Sequence, residues 1–343
     1  MNNINSWNDY LATAGAPVLT PEQLAKGFVA AVTGQDILAV TGEDAASFLH
    51  GQLTNDVEHL GNLDARLAGY CSPKGRLLAS FLMWRNAESV FLQVPSELRA
   101  ALQKRLSMFV LRAKARLSDV SADTANSVSL GIGGANGQAA LQQVLGAALP
   151  AAPYTRIDHA LGTVIRVADA FGAPRYQWLT SPDTAREVLP ALRSTLAFGA
   201  TDAWRLSDIH AGIPQISLKT QEQFVPQMVN YELIGGVNFK KGCYPGQEIV
   251  ARSQYLGKLK RRTALATIDS PGVAAGDEVF DVADPDQPCG MIVNAAPNGA
   301  GGADALVELK LASLEQGDIR LGSASGAPLR FKPMPYALDA LEL

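Results

Sequence analysis

Residues 239–252 read FKKGCYPGQEIVAR. Lys240 and Lys241 precede Cys243, which lies between Gly242 and a Tyr244-Pro245-Gly246 turn. Core packing does not call for this combination. The two glycines leave the backbone permissive and exposed, and Pro245 fixes a turn. GQEIVAR then reads as the opening of a helix. A cysteine near a helix N-terminus and beside two cations is expected to be accessible, its thiolate favoured by dipole and charge. The other reading is a buried structural cysteine, since cysteine is often buried. An accessible thiol here could react as a nucleophile or act as a transient ligand.

The basic character continues past the loop. Between 240 and 262 stand Lys240, Lys241, Arg252, Lys258, Lys260, Arg261 and Arg262 against the single acid Glu248, a local charge of +6 in a chain of net −4. Such a run fits an anionic partner, whether nucleic-acid phosphates, a small polyanion or an acidic protein. It fits a solvated surface equally well. Without interleaved aromatic residues or an RNA-binding motif, the nucleic-acid reading has little support.

The elements that must position this loop are legible in the pattern. The chain has 343 residues, 47% hydrophobic and 18% charged, enough for two or three domains. DILAV (36–40), ARLAGYCS (65–72), RLLASFLMW (76–84) and SVFLQV (89–94) read as strands, the middle two joined by a Pro73-Lys74-Gly75 turn. Leu98, Leu102, Leu106 and Phe109 recur at helical spacing, and KARLSDV closes the unit. A similar order follows in VSLGIGG, AALQQVLGAAL, TVIRVAD, YQWLT and a helix from Pro182 to about Leu196, which suggests an internal duplication. From about residue 258, LATI, DEVF, GMIV, ALVEL and IRLG alternate with turn residues, as in a small antiparallel barrel. The expected units are 27–119, 120–257 and 258–343. Cys71, Cys243 and Cys289 are widely spaced and odd in number, which argues against a disulfide framework or a self-contained metal site. No metal-ligand set is assigned. No apolar run is long enough for a membrane span and no signal peptide is evident, so the expectation is a cytoplasmic protein, with a monomer as the expected state.

KGCYPGQE (241–248) resembles the K-G-C-Y-x-G-Q-E signature of the YgfZ family of folate-binding, iron–sulfur-associated proteins. GQLTNDV (51–57), YCSPKGRL (70–77), HAGIP (210–214), FVPQMVN (224–230), GGVNFKKGCY (235–244) and ARSQYLGKLKRR (251–262) fall in the family order, so the resemblance spans the chain from about residue 30. It implies an α+β fold like that of the glycine-cleavage T protein, an aminomethyltransferase that uses tetrahydrofolate. In that arrangement two ferredoxin-like α/β units and a C-terminal antiparallel β-barrel surround a central opening. The implied cofactor is tetrahydrofolate or another reduced folate. The implied folate site draws on Trp204, His210, Gln227, Asn230, Lys241, Tyr244, Gln247, Glu248 and Arg252, with Cys243 as the working thiol. Trp204 would offer a face for stacking, although a lone tryptophan on a helix is also a common core residue. His210 stands where the family usually has glutamate, and a neutral histidine accepts only one hydrogen bond; it could equally be a hydrogen-bonded residue of the helix-to-loop turn.

The T-protein enzymes carry acids where this chain has Leu78 and Ala79, which removes a general acid–base group there. The resemblance therefore implies a folate-binding accessory factor for iron–sulfur cluster assembly or repair in client enzymes, tRNA-modifying enzymes among them. The alternative is a folate-dependent aminomethyl or methyl transferase or demethylase. Iron–sulfur client or assembly proteins are the implied partners.

Overall fold

Thr20, Pro21 and Gln23 begin a helix by the means their chemistry allows. The Gln23 amide donates to the Thr20 hydroxyl, the Thr20 amide donates to the Gln23 side chain, and Pro21 stands where no amide hydrogen is needed. The computed structural model describes residues 7–338 except 8, 9, 12, 13, 124 and 258. After α1 (Pro21–Lys26) come β1 (Phe28–Val32), β2 (Gln35–Thr41), α2 (Ala45–His50), β3 (Ala65–Cys71), β4 (Leu77–Arg85), β5 (Ser89–Pro95), α3 (Ser96–Val110) and β6 (Arg116–Asp119). A second stretch holds β7 (Val128–Gly133), α4 (Gly137–Leu145), β8 (Arg156–His159), β9 (Gly162–Ala170), β10 (Ala173–Thr180), α5 (Pro182–Arg193), β11 (Ala197–Gly199) and α6 (Thr201–His210). A largely irregular segment with a 3-10 turn at Pro226–Val229 leads to α7 (Gln247–Tyr255). The chain then builds β12 (Arg261–Ile268), β13 (Glu278–Asp281), β14 (Asp284–Pro297), β15 (Ala303–Lys310), α8 (Leu311–Gln316), β16 (Ile319–Leu321) and β17 (Leu329–Lys332).

These strands form three sheets, ordered β3-β4-β5-β2-β6, β11-β1-β7-β10-β9-β8 and β16-β13-β14-β15-β12-β17. The architecture is α+β, and the last sheet is a curled antiparallel half-barrel. One strand departs from the expected division of the chain. β1 joins the second sheet, antiparallel to β7 and parallel to β11, and leaves β2 to begin the first sheet. All five of its residues, FVAAV, are buried, so it needs neighbours on both edges and cover on both faces, which only the second sheet supplies.

The largest apolar cluster runs from the first sheet through Trp204, Ile209, Phe224 and Tyr231 to Leu306 of the half-barrel. One core thus joins all three sheets, and α6 lies within it. Gly131 of β7 makes that possible: a Cβ there would stand 2.1 Å from the Trp204 ring.

Asp304 of β15 ties α6 to the half-barrel. Its side chain is almost fully buried and accepts from Thr267 Oγ1 at 2.7 Å and Lys332 Nζ at 3.1 Å, while His210 Nε2 lies 2.6 Å away. Burial alone would raise this carboxyl. The hydrogen bonds from His210, Thr267 and Asn298, with the Lys332 charge, outweigh burial and hold it well below the usual carboxylate range. A depressed folded-state pKa adds stability above the unfolded value of about 3.9, and that stability is lost as pH falls below it. Asp304→Asn is therefore expected to lose roughly 2–3 kcal/mol at pH 7 and to show a flatter decline below pH 4. Thermal melts from pH 3 to 7 check this; parallel curves for the two proteins would refute it.

Candidate functional site: a central cavity beside an exposed cysteine loop

Between the first two sheets and α6 lies a cavity of about 80 Å³. Arg175 of β10 is its most constrained wall residue. Nη1 donates to Ser207 Oγ and Asp208 Oδ1, both at 2.7 Å, and Nε donates to the Ala168 carbonyl at 2.9 Å. Its guanidinium carbon lies 4.8 Å from the centre of the Trp204 ring, a cation–π distance. Nη2 is buried and has no hydrogen-bond partner among the described residues. Burial pushes the Asp208 carboxyl up, opposed by the charge and hydrogen bond of Arg175. Gln35, Gln93, Gln177 and Ser80 add neutral polar groups to the walls.

Trp204 lines this cavity. His210 does not. Asp208 stands one helical turn after Trp204 and shares its face of α6, whereas a residue six positions on is turned well away. His210 instead packs at 4.6 Å on the Phe171 ring and meets Asp304. The carboxylate facing the cavity is thus two residues earlier than the position singled out in the sequence.

A larger, more open pocket of about 600 Å³ adjoins the cavity, sharing Leu67 and Tyr154 as walls. Tyr154 holds a φ of +60°, strained for a non-glycine residue. Asn55, Asp56, Asn238, Phe239 and Lys240 line this pocket, which brings GQLTNDV and GGVNFKKGCY together. The joints are specific. Thr54 Oγ1 donates to the Gly236 carbonyl at 2.6 Å, Asn55 Nδ2 donates to the Leu67 and Gly235 carbonyls at 2.7 Å, and the Asn238 amide donates to the Thr54 carbonyl at 2.9 Å.

Cys243 is exposed, whereas Cys71 and Cys289 are buried. The signature glycine explains how its loop is held. Gly246 has φ +80°, and a Cβ there would stand 2.4 Å from the Ser72 carbonyl oxygen and 2.7 Å from Gly75. The Pro73–Gly75 turn and the Pro245–Gly246 turn therefore meet backbone to backbone. Lys241 anchors the other side. Its ammonium donates to the carbonyls of His50 and Leu53 and lies 4.9 Å from the centre of the Tyr244 ring. Burial pulls Lys241 down to about 8, with Asp56, Cys243 and Glu58 opposing. Tyr244 is buried, and its hydroxyl, without a hydrogen-bond partner among the described residues, is raised by burial.

The remaining residues singled out in the sequence serve elsewhere. Gln227 Nε2 donates to the Val250 carbonyl at 2.8 Å, and Asn230 Nδ2 donates to the Thr263 carbonyl at 2.8 Å, so both brace the irregular segment. Gln247 and Glu248 open α7, and Glu248 and Arg252 are exposed. Leu78 and Ala79 are buried in β4. The basic run is partly spent inside the fold: Arg261 pairs with Glu308, Arg262 with the buried Glu232, and Lys241 with the two carbonyls. Lys240, Arg252 and Lys260 remain exposed, and Lys258 lies outside the described residues. Sequence reasoning passed over Arg175, Gln177 and Asp208. The available signal was Arg175 and Gln177 at alternate positions of an otherwise apolar aromatic strand.

Two sheets and one helix around a cavity, with a half-barrel sheet tied to that helix, define a class. The crystal structure of glycine cleavage system aminomethyltransferase T from Bartonella henselae superposes with a TM-score of 0.75 over 96% of each chain at 15% identity, so this chain has the aminomethyltransferase T fold. No family model matches the chain. Among curated proteins it is similar to the tRNA-modifying protein YgfZ of Photorhabdus laumondii, 30% identical over 88% of this chain and 90% of that one. The protein of the same name from Yersinia enterocolitica is 28% identical over 95% and 97%. That from an Enterobacter species is 33% identical over 66% and 67%. The chain belongs to the YgfZ family. Among the described residues, no helix is long and apolar enough to cross a membrane.

Proposed function

We propose that this protein is a folate-binding accessory factor that supports iron–sulfur cluster assembly or repair in client enzymes, including enzymes that modify tRNA. The observation that carries the folate part is Arg175 Nη2, buried beside Asp208 and Trp204 in the cavity wall and without a hydrogen-bond partner among the described residues. A pterin presents ring N–H and amino donors together with a carbonyl acceptor. A carboxylate accepts from the first and a guanidinium donates to the second. The cavity is well below the ~300–1,000 Å³ of drug-sized sites, so it suits a ring head, with the adjoining pocket beyond Tyr154 for the rest of the molecule. Reduced folate is the cofactor that these groups fit. The printed name of the relatives, tRNA-modifying protein, supports the link to tRNA. The exposed Cys243 supplies the thiol, in a cytoplasmic setting where it stays reduced.

Titration with tetrahydrofolate, read by tryptophan fluorescence, tests the folate part. Wild type is expected to quench and Trp204→Phe to lose most of that signal. Asp208→Asn should weaken binding about tenfold or more, the effect of losing a charge-assisted hydrogen bond. Equal binding by wild type and Asp208→Asn would move the folate out of this cavity. Asp208 also favours a second reading, a folate-dependent aminomethyl or methyl transferase or demethylase, because it places a carboxylate in the cavity although Leu78 and Ala79 supply none. Release of formaldehyde or formation of methylene-tetrahydrofolate from aminomethyl donors would select that reading.

A further inference from the structure

His50, the last residue of α2, lies against the cysteine loop. Gly242 is its neighbour there: a Cβ on Gly242 would stand 3.5 Å from His50 Nε2. The ring is mostly buried, and its Nδ1 lies 3.1 Å from Asp56 Oδ1. Asp56 is itself held, since its Oδ1 accepts from the His59 amide at 3.1 Å and its Oδ2 lies 2.8 Å from His59 Nδ1. A carboxylate on Nδ1 favours the tautomer with its proton there, which leaves Nε2 an acceptor. Among the described residues Nε2 makes no hydrogen bond, and it faces the residue next to Cys243. Thiol, imidazole and orienting carboxylate are the three parts of an activated nucleophile. Sγ and Nε2 are not hydrogen-bonded in this conformation; such pairs commonly tighten only with substrate present.

We propose that Cys243, His50 and Asp56 form one thiol-exchange site acting on a disulfide carried by another molecule. Cys243 gives its proton to His50 Nε2, and the thiolate attacks one sulfur of the disulfide. The S–S bond breaks as the mixed disulfide with Cys243 forms. The departing sulfur leaves with the electron pair and takes the proton back from His50. The disulfide is the only oxidant in this step, and one thiol is released for each consumed. Cys71 and Cys289 are buried, so the exchange partner comes from outside the chain. Asp56 acts through His50 as a positioning residue. The charged and titratable groups around the ring are Asp56, Glu58, His59 and Lys241, with Cys243 beyond Gly242.

The proposal rests on Cys243 being the working thiol, but its test needs neither folate nor a client. The full chain is mixed with dipyridyl disulfide and thione release is followed from pH 5 to 10, with Cys243→Ser as the blank. His50→Gln is expected to react about tenfold more slowly or worse at pH 7, the low side of the ~10²–10⁴ that a positioned base contributes. The two rates should meet near pH 10, above the ordinary cysteine value of about 8.5, where no base is needed. Asp56→Asn should show a smaller deficit that closes in the same way. Superimposed profiles for wild type and His50→Gln overturn the proposal. So does a deficit that persists at pH 10, since the ring would then only shape the loop. Reaction of more than one thiol would mark a misfolded variant, and His50→Asn is then read by the same criteria. Cluster support that stays unchanged in cells carrying a variant whose exchange is lost would count against the accessory-factor reading and leave the exchange site standing.

Discussion

Arg175→Met is expected to lose about 3–5 kcal/mol of stability, the range for breaking a buried ion pair from one side, and to reduce tetrahydrofolate binding to background. The Arg175 side chain is 1% exposed and Asp208 28%, so the orphaned carboxylate would sit in a site that water reaches poorly. Methionine keeps most of the aliphatic stem against Trp204, which confines the change to the charge and its hydrogen bonds. The pH dependence has a definite sign. Burial already holds Asp208 above its ordinary value, and losing Arg175 removes the opposing charge. A raised carboxyl contributes stability below the unfolded value of about 3.9, and that contribution is lost as pH rises through the folded value. The variant should therefore lie closer to wild type at pH 4 than at pH 7. Denaturant melts at both pH values measure the difference, and Arg175→Met combined with Asp208→Leu should recover part of the loss. A single variant as stable as wild type at pH 7 would show that the pair is not what organises the cavity.

Cys243→Ser is expected to fold and bind folate normally yet restore nothing in cells that lack the gene. The residue is exposed, so the substitution should stay within about 0.5 kcal/mol of wild type. A serine hydroxyl is hardly ionised at neutral pH and is a poor ligand for iron, so chemistry by reaction or by ligation fails alike. Cys71 and Cys289 are the controls. Burial pushes the Cys71 thiol up to about 12 and raises Cys289 as well, which makes both inert. Their serine variants should restore cluster-enzyme activity and tRNA modification wherever they fold. Assay of a cluster-dependent enzyme and of modified tRNA nucleosides in each strain decides the matter. Full restoration by Cys243→Ser would leave the exposed loop without the role assigned to it.

Local chemistry is legible in residue order. The 65–85 hairpin and the half-barrel are marked by apolar runs between turn residues, and α3 by the helical spacing of its buried Leu98, Leu102 and Leu106. The glycine–proline turn and the accessible cysteine at 242–246 were also visible, because φ preference and charge are properties of a few adjacent residues. β1 was not visible: FVAAV is apolar throughout and has no period, so nothing in it names its neighbours.

By itself, then, the sequence determined most of the strands and helices, the cysteine loop and the family resemblance. The tertiary structure alone decided what faces the cavity. On α6 the choice between Asp208 and His210 depends on the helix's rotation, which is set by Gly131 on one side and Asp304 on the other. Whether a basic residue meets solvent or a carboxylate depends likewise on partners such as Glu232 and Glu308. The loop at 240–243 acquired His50 as a neighbour only because Lys241 reaches the end of α2, and Thr54 bonds Gly236 across 182 residues. Such contacts form between segments distant in the chain, and their geometry is fixed by the shared core that packs those segments together.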